Sequence, residues 1–155
     1  MWKLLPVCLL VSCAMNGQDP PASGDNQAVQ GRIVQQNDLR ITPSEQTGPD
    51  QPARFTFRQQ GMSGWLDENG AWHIRREVRH NHLRCGTYET GIQLGRGSPG
   101  CTGVEWLTEV GYATRLRHCN STTRLHEGGG RFSRTGNALE GVTCVRAVVR
   151  CEGAC

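Results

Sequence analysis

Apolar and polar residues alternate with a period of two over much of the C-terminal two thirds of the chain, the spacing expected of half-buried strands. Phe55-Thr56-Phe57-Arg58 is a short example. The clearest runs from residue 104 to 117. There Val104, Trp106, Thr108, Val110, Tyr112, Thr114 and Leu116 alternate with Glu105, Leu107, Glu109, Gly111, Ala113, Arg115 and Arg117. This predicts a strand, bent near Gly111, that buries Trp106, Val110, Tyr112 and Leu116 and turns its charges to water. Between Trp65-Leu66 and Ala71-Trp72-His73-Ile74 stands Asn69-Gly70. Both residues tolerate positive φ, so the pair predicts a hairpin whose two-residue turn sets Trp65 opposite Ile74. A helix over 70–85, with Ala71, Ile74, Val78 and His82 on one face, is the competing reading. Val142 to Cys151 is valine-rich and reads as a strand, and Gly128-Gly129-Gly130 as a flexible loop. The expected fold is mainly β, a small disulfide-stapled barrel or sandwich, with an α+β form carrying one helix as the alternative.

Composition divides the chain at about residue 53. Residues 14–52 hold no aromatic residue, five of the seven prolines and seven glutamines. A stretch of that kind buries too little apolar surface to offset its chain entropy and reads as a tether. Within it, Ile33, Val34, Leu39 and Ile41 suggest a short strand between Gly31 and Thr42 that docks on the domain.

Ahead of the tether, Met1-Trp2-Lys3 is cationic and Leu4 to Ser12 is an apolar run too short to span a bilayer, which takes about 20 residues. The run closes on Leu10-Val11-Ser12-Cys13: an aliphatic residue, a tolerant position, a small residue and a cysteine. These four residues and the signal before them resemble the lipobox of bacterial lipoproteins. The resemblance implies cleavage before Cys13, diacylation of its thiol and acylation of its new amine, and hence a membrane anchor. Two or three acyl chains make attachment durable, since each buried CH₂ contributes about 0.8 kcal/mol. With Ala14 next, where an aspartate would signal inner-membrane retention, the implied address is the outer membrane. Cleavage after Ala14, giving a soluble secreted protein, stays open, and Asn120-Ser121-Thr122 matches the N-glycosylation pattern that a secreted eukaryotic protein would use. The domains so read are a signal peptide (1–12), a lipidated cysteine with its tether (13–52) and a disulfide-rich β domain (53–155).

Six cysteines follow residue 84: Cys85, Cys101, Cys119, Cys144, Cys151 and Cys155. An even number in so short a region predicts an oxidising compartment and three disulfides, with fifteen pairings open. No C-x-x-C pair is present to start a zinc site.

The formal net charge is +3 and Lys3 is the only lysine, too weak a charge for a nucleic-acid partner. Residues 53–155 nevertheless carry fourteen arginines against nine acids. Arg115 and Arg117, on the polar face of the clear strand, are candidates for anion binding, and Arg75, Arg76, Arg79 and Arg84 form a second group. A guanidinium fork suits carboxylates and phosphates. His80 and His82 would share a face on a strand and are candidate copper or zinc ligands. Gly95 to Gly100 matches G-x-G-x-x-G, but Pro99 stands where a helix should open, so it reads as a turn. No G-x-S-x-G, no H-E-x-x-H and no cysteine outside the expected disulfides points to an enzyme.

The expectation is a non-enzymatic envelope lipoprotein without cofactor that binds an envelope protein or an anionic glycan. An exported metal-binding protein or hydrolase is the alternative.

Overall fold

The computed structural model describes residues 31–44, 52–133 and 139–155. Cys13, the signal segment and most of the tether lie outside the described residues. Nine strands form: β1 (Arg32–Arg40), β2 (Thr42–Pro43), β3 (Arg54–Gln59), β4 (Met62–Asp67), β5 (Ala71–Arg79), β6 (Gly86–Arg96), β7 (Glu105–His118), β8 (Thr123–Arg131) and β9 (Val142–Gly153). They make two antiparallel sheets, ordered β1-β9-β6-β7 and β2-β3-β4-β5-β8. The fold is a β-sandwich, not a closed barrel. No α-helix forms among the described residues; the chain over 70–85 is strand β5 followed by a loop.

The core lies between the sheets. Phe57, Leu66, Trp72 and Ile74 of the second sheet meet Leu39, Ile92, Leu94, Val145 and Ala147 of the first. Fully burying such a side chain contributes about 1.5–3 kcal/mol. Leu39 of β1 and Ile41, the single residue between β1 and β2, both belong to this core, and β1 pairs with β9 from Arg32 to Arg40. The strand suspected inside the tether therefore docks, and the folded unit reaches back past residue 53 to at least residue 32.

All six cysteines among the described residues are paired: Cys85–Cys119, Cys101–Cys144 and Cys151–Cys155. The first joins the entry to β6 with the exit of β7. The second ties the β6–β7 connection to β9, and the third closes the C-terminus.

Three local expectations are corrected. The hairpin forms, but with a three-residue loop, so that Leu66 faces Trp72 and Gly64 faces Ile74. The Asp67 carboxylate decides this by accepting from the main-chain N–H groups of Asn69 and Ala71, both at 2.9 Å. Gly70 takes the left-handed conformation, φ 78°, that closes such a loop. Gly128-Gly129-Gly130 is not a loop but part of β8, laid against β5. A Cβ at Gly129 would stand 2.1 Å from the Trp72 carbonyl oxygen, and one at Gly128 2.6 Å from Thr114 Oγ1. Only glycine permits this approach.

The third correction concerns β7. Its core side is Leu107 and Ala113, with Gly111 under the Trp72 indole. Trp106 and Tyr112 face outward over Gly95 and Gly91 of β6. Arg146 and Arg150 of β9 stack on them at 3.9 and 4.2 Å from the ring centroids. Register shifts between Thr90 and Gly91 and between Gln93 and Gly95 break the period of two, which is why simple alternation misassigned the faces.

Candidate anion-binding face

The antiparallel register of the second sheet sets its outward residues in rows. Thr56 lies opposite Trp65 and Trp65 opposite His73; in the next row Arg58 lies opposite Ser63, Ser63 opposite Arg75 and Arg75 opposite Glu127. Trp65 and His73 stack with planes 12° apart, and the Arg54 guanidinium covers the indole at 4.4 Å. Glu127 turns to His73, 3.6 Å from Nε2, and so leaves Arg75. Beside this platform a groove of about 560 Å³ opens, lined by Arg58, Ser63, Arg75, Glu77, Leu125 and the β3–β4 turn. Leu125 is one of few large apolar side chains exposed among the described residues.

Ion pairing distinguishes the arginines of the two outer faces. On the first sheet three are engaged, while Arg40 and Arg117 have no ion-pair partner among the described residues. Arg146 forks onto Asp38 at 2.7 and 3.0 Å, Arg150 pairs with Glu89, and Arg115 reaches Glu89 at 3.7 Å and Glu152 at 3.0 Å. On the second sheet Arg58, Arg75 and Arg79 have no ion-pair or hydrogen-bond partner among the described residues. The candidates Arg115 and Arg117 are thus both exposed, as their strand positions required, but Arg115 is already neutralised. The second arginine group divides: Arg75 and Arg79 face outward, Arg84 is exposed in the loop after β5, and Arg76 points inward and is buried.

His80 and His82 do not share a strand face, because β5 ends at Arg79. His82 is exposed, whereas His80 is buried with both ring nitrogens engaged, Nδ1 with the Tyr88 hydroxyl at 2.9 Å and Nε2 with the Arg84 carbonyl oxygen at 2.7 Å. Among the described residues no group of three or more His, Cys, Asp or Glu is placed to hold a metal ion.

Buried between the sheets is a feature that the sequence pattern did not disclose, a polar chain of two further histidines. His118 and His126 meet Nε2 to Nε2 at 2.7 Å, and His126 Nδ1 meets Thr90 Oγ1 at 3.0 Å. Both rings are fully buried. Burial, with the charges of His118, Arg124 and Arg76, pushes His126 down to about 4; burial, then Arg124 and His80, lowers His118. With both rings shifted down, the pair is neutral at pH 7, and one Nε2–H donates to the bare Nε2 of the other. The inward alternation of β5 and β8 could have suggested that His126 is internal; its partner depends on the packing of two sheets.

Comparison with known proteins finds no match: no family model, no curated protein and no solved structure is similar to this chain.

Proposed function

We propose that the protein is a non-enzymatic recognition module, anchored to the bacterial outer membrane by acylation of Cys13, that binds an anionic envelope glycan or an acidic protein surface. The observation that supports this reading is the pair Arg58 and Arg75, without partners among the described residues, lining the groove beside the Trp65–His73 platform. A guanidinium without an intramolecular acid keeps its donors for a carboxylate or phosphate of a partner. The adjoining aromatic surface offers a flat apolar contact. The three disulfides fit an extracytoplasmic address, and the proline-rich stretch would carry the head away from the membrane.

The test is binding to an immobilised acidic polysaccharide across a salt series. Arg58→Ala with Arg75→Ala is expected to weaken binding about tenfold or more and to flatten its salt dependence. Arg115→Ala with Arg117→Ala should stay within about twofold, because Arg115 serves an internal pair. The reverse ranking would move the site to the first sheet. Anchoring has a separate test, the intact mass of the protein from membranes of its native host. A chain beginning at Cys13 and carrying acyl groups is expected; an unacylated chain beginning at Met15 would make the module a soluble secreted one.

A further inference from the structure

A second cavity, of about 410 Å³, lies on the other side of the β3–β4 turn and is lined by Gln35, Asn37, Arg76, Glu77, Arg79 and Thr123, among others. Its floor holds an uncompensated cation. Arg76 is only 6% exposed. Its Nη2 donates to Gln35 Oε1 at 2.9 Å and Asn37 Oδ1 at 2.6 Å, and Nη1 reaches the Ala147 carbonyl oxygen at 3.5 Å. Every one of these acceptors is neutral. Nε has no acceptor, and no carboxylate lies within 4.0 Å of the guanidinium among the described residues. Such groups are rare: buried charges are ordinarily paired, because removing one from water costs several kcal/mol. Burial lowers the pKa of this guanidinium, the mark of a desolvation cost that its neutral partners do not offset, yet arginine stays protonated at any physiological pH.

A core cation held only by carboxamides, with a free donor edge at a cavity, is a half-built ion pair. We infer that this cavity is a binding site for a single carboxylate group, which completes the pair with Arg76. The choice of carboxylate follows from the rim. Two guanidinium groups against the one carboxylate of Glu77 leave a single net positive charge in the lining, which matches a monoanion and disfavours a phosphate dianion. His126, which lies opposite Arg76 in the register of β5 and β8, is neutral and adds no charge. Gln35 and Asn37 spend their oxygens on Arg76, which leaves their NH₂ groups as further donors. The cavity falls within the size range of small-molecule sites. A carboxylate there is either the end of a peptide or the acid of a sugar. The site shares Glu77 and the β3–β4 turn with the outer groove but uses neither Arg58 nor Arg75, so the two readings fail separately in the variants below.

The decisive measurement is nuclear magnetic resonance of the arginine Nε–H groups in the disulfide-intact protein. The protein is titrated with acetate, N-acetylglycinate, glucuronate and inorganic phosphate, against chloride at matched ionic strength. The carboxylates are expected to shift the Arg76 Nε–H signal saturably, and phosphate and chloride to leave it unsaturated. Tighter binding of N-acetylglycinate would name a peptide end as the natural source, and tighter binding of glucuronate a sugar acid. Glu77→Gln should strengthen acetate binding about fivefold by removing a like charge, Arg76→Lys should lose at least about tenfold, and Arg58→Ala with Arg75→Ala should leave it unchanged. Should Arg76→Lys fail to fold, the titration of the unaltered protein still decides. No saturable shift with any carboxylate, or a preference for phosphate, would overturn the assignment.

Discussion

Replacing Cys101 and Cys144 together by alanine should lower the stability of the domain by about 4 kcal/mol, and so should replacing Cys85 with Cys119, whereas loss of the Cys151–Cys155 clip should cost about 2 kcal/mol. The ranking comes from the chain each bond closes: sequence separations of 43, 34 and 4 residues. Cross-linking distant residues removes more freedom from the unfolded chain than cross-linking near ones. Left-handed backbone also stands at or next to both long-range bonds. Cys101 itself has φ 55°, and Asn120 and Ser121, directly after Cys119, have φ 59° and 47°; each such conformation costs an ordinary residue of order 1–2 kcal/mol. Alanine is the right replacement because Cys144 is fully buried, where a serine hydroxyl would add its own desolvation cost. Urea unfolding of the three double variants checks the order. If the short clip costs as much as the others, its contribution is packing within the cluster of Val78, Tyr88, Val149 and Cys151 and not chain entropy.

Acid is the second strong perturbation. As pH falls from 6.5 to 4, the domain should lose about 3 kcal/mol through His126 alone, with His118 adding in the same direction. In the unfolded chain the ring takes up a proton near 6.5; in the fold it resists until about 4. Above 6.5 neither state binds the proton, so the stability is fully present there. Between the two values the unfolded state binds more protons, and stability falls with falling pH. The groups that face His126 all oppose its charging: His118 from β7, Arg124 on its own strand and Arg76 from β5, while Thr90 of β6 offers a hydroxyl that serves either tautomer. Carboxylates also titrate in this range, so the control is His126→Gln, which keeps a polar partner for Thr90. Its stability should fall less steeply between pH 6.5 and 4.5, by up to about 1.4 kcal/mol per pH unit. An unchanged slope would show that another group carries the acid response.

Much of the architecture was legible in the chain. Alternation over 104–117 specified a strand because a β backbone projects successive side chains to opposite sides. Asn69-Gly70 specified a turn because both residues accept positive φ, and the crowding of six cysteines specified full pairing. Less was legible wherever two segments distant in sequence had to meet. The Asp67 carboxylate changed the hairpin register by one residue. The bulge in β7 at Ala113 reversed the face on which Trp106 and Tyr112 lie, and the arginines of β9 then covered them. Gly128-Gly129-Gly130 had the composition of a loop, but its lack of side chains is what lets β8 press against Trp72 and Thr114.

The same division runs through the candidate sites. Residue types and spacing marked arginine as the chemistry of this protein and placed Arg115 and Arg117 on a polar face, since local periodicity fixes the direction of a side chain within its own strand, but they left Arg75, Arg76, Arg79 and Arg84 as one undivided group. Which of them meets an acid is a matter of neighbouring strands. Tertiary structure gave Asp38, Glu89 and Glu152 to Arg146, Arg150 and Arg115, left Arg58, Arg75 and Arg79 without partners among the described residues, and closed the two sheets over Arg76, His118 and His126. The sequence by itself determined the β character of the fold, the number of disulfides and the charge type, because these follow from local stereochemistry and composition. Pairing, burial and the resulting charge balance were decided only by the packed fold, because solvent exclusion and ion pairing depend on atoms brought together from positions as distant as Gln35, Arg76 and Ala147.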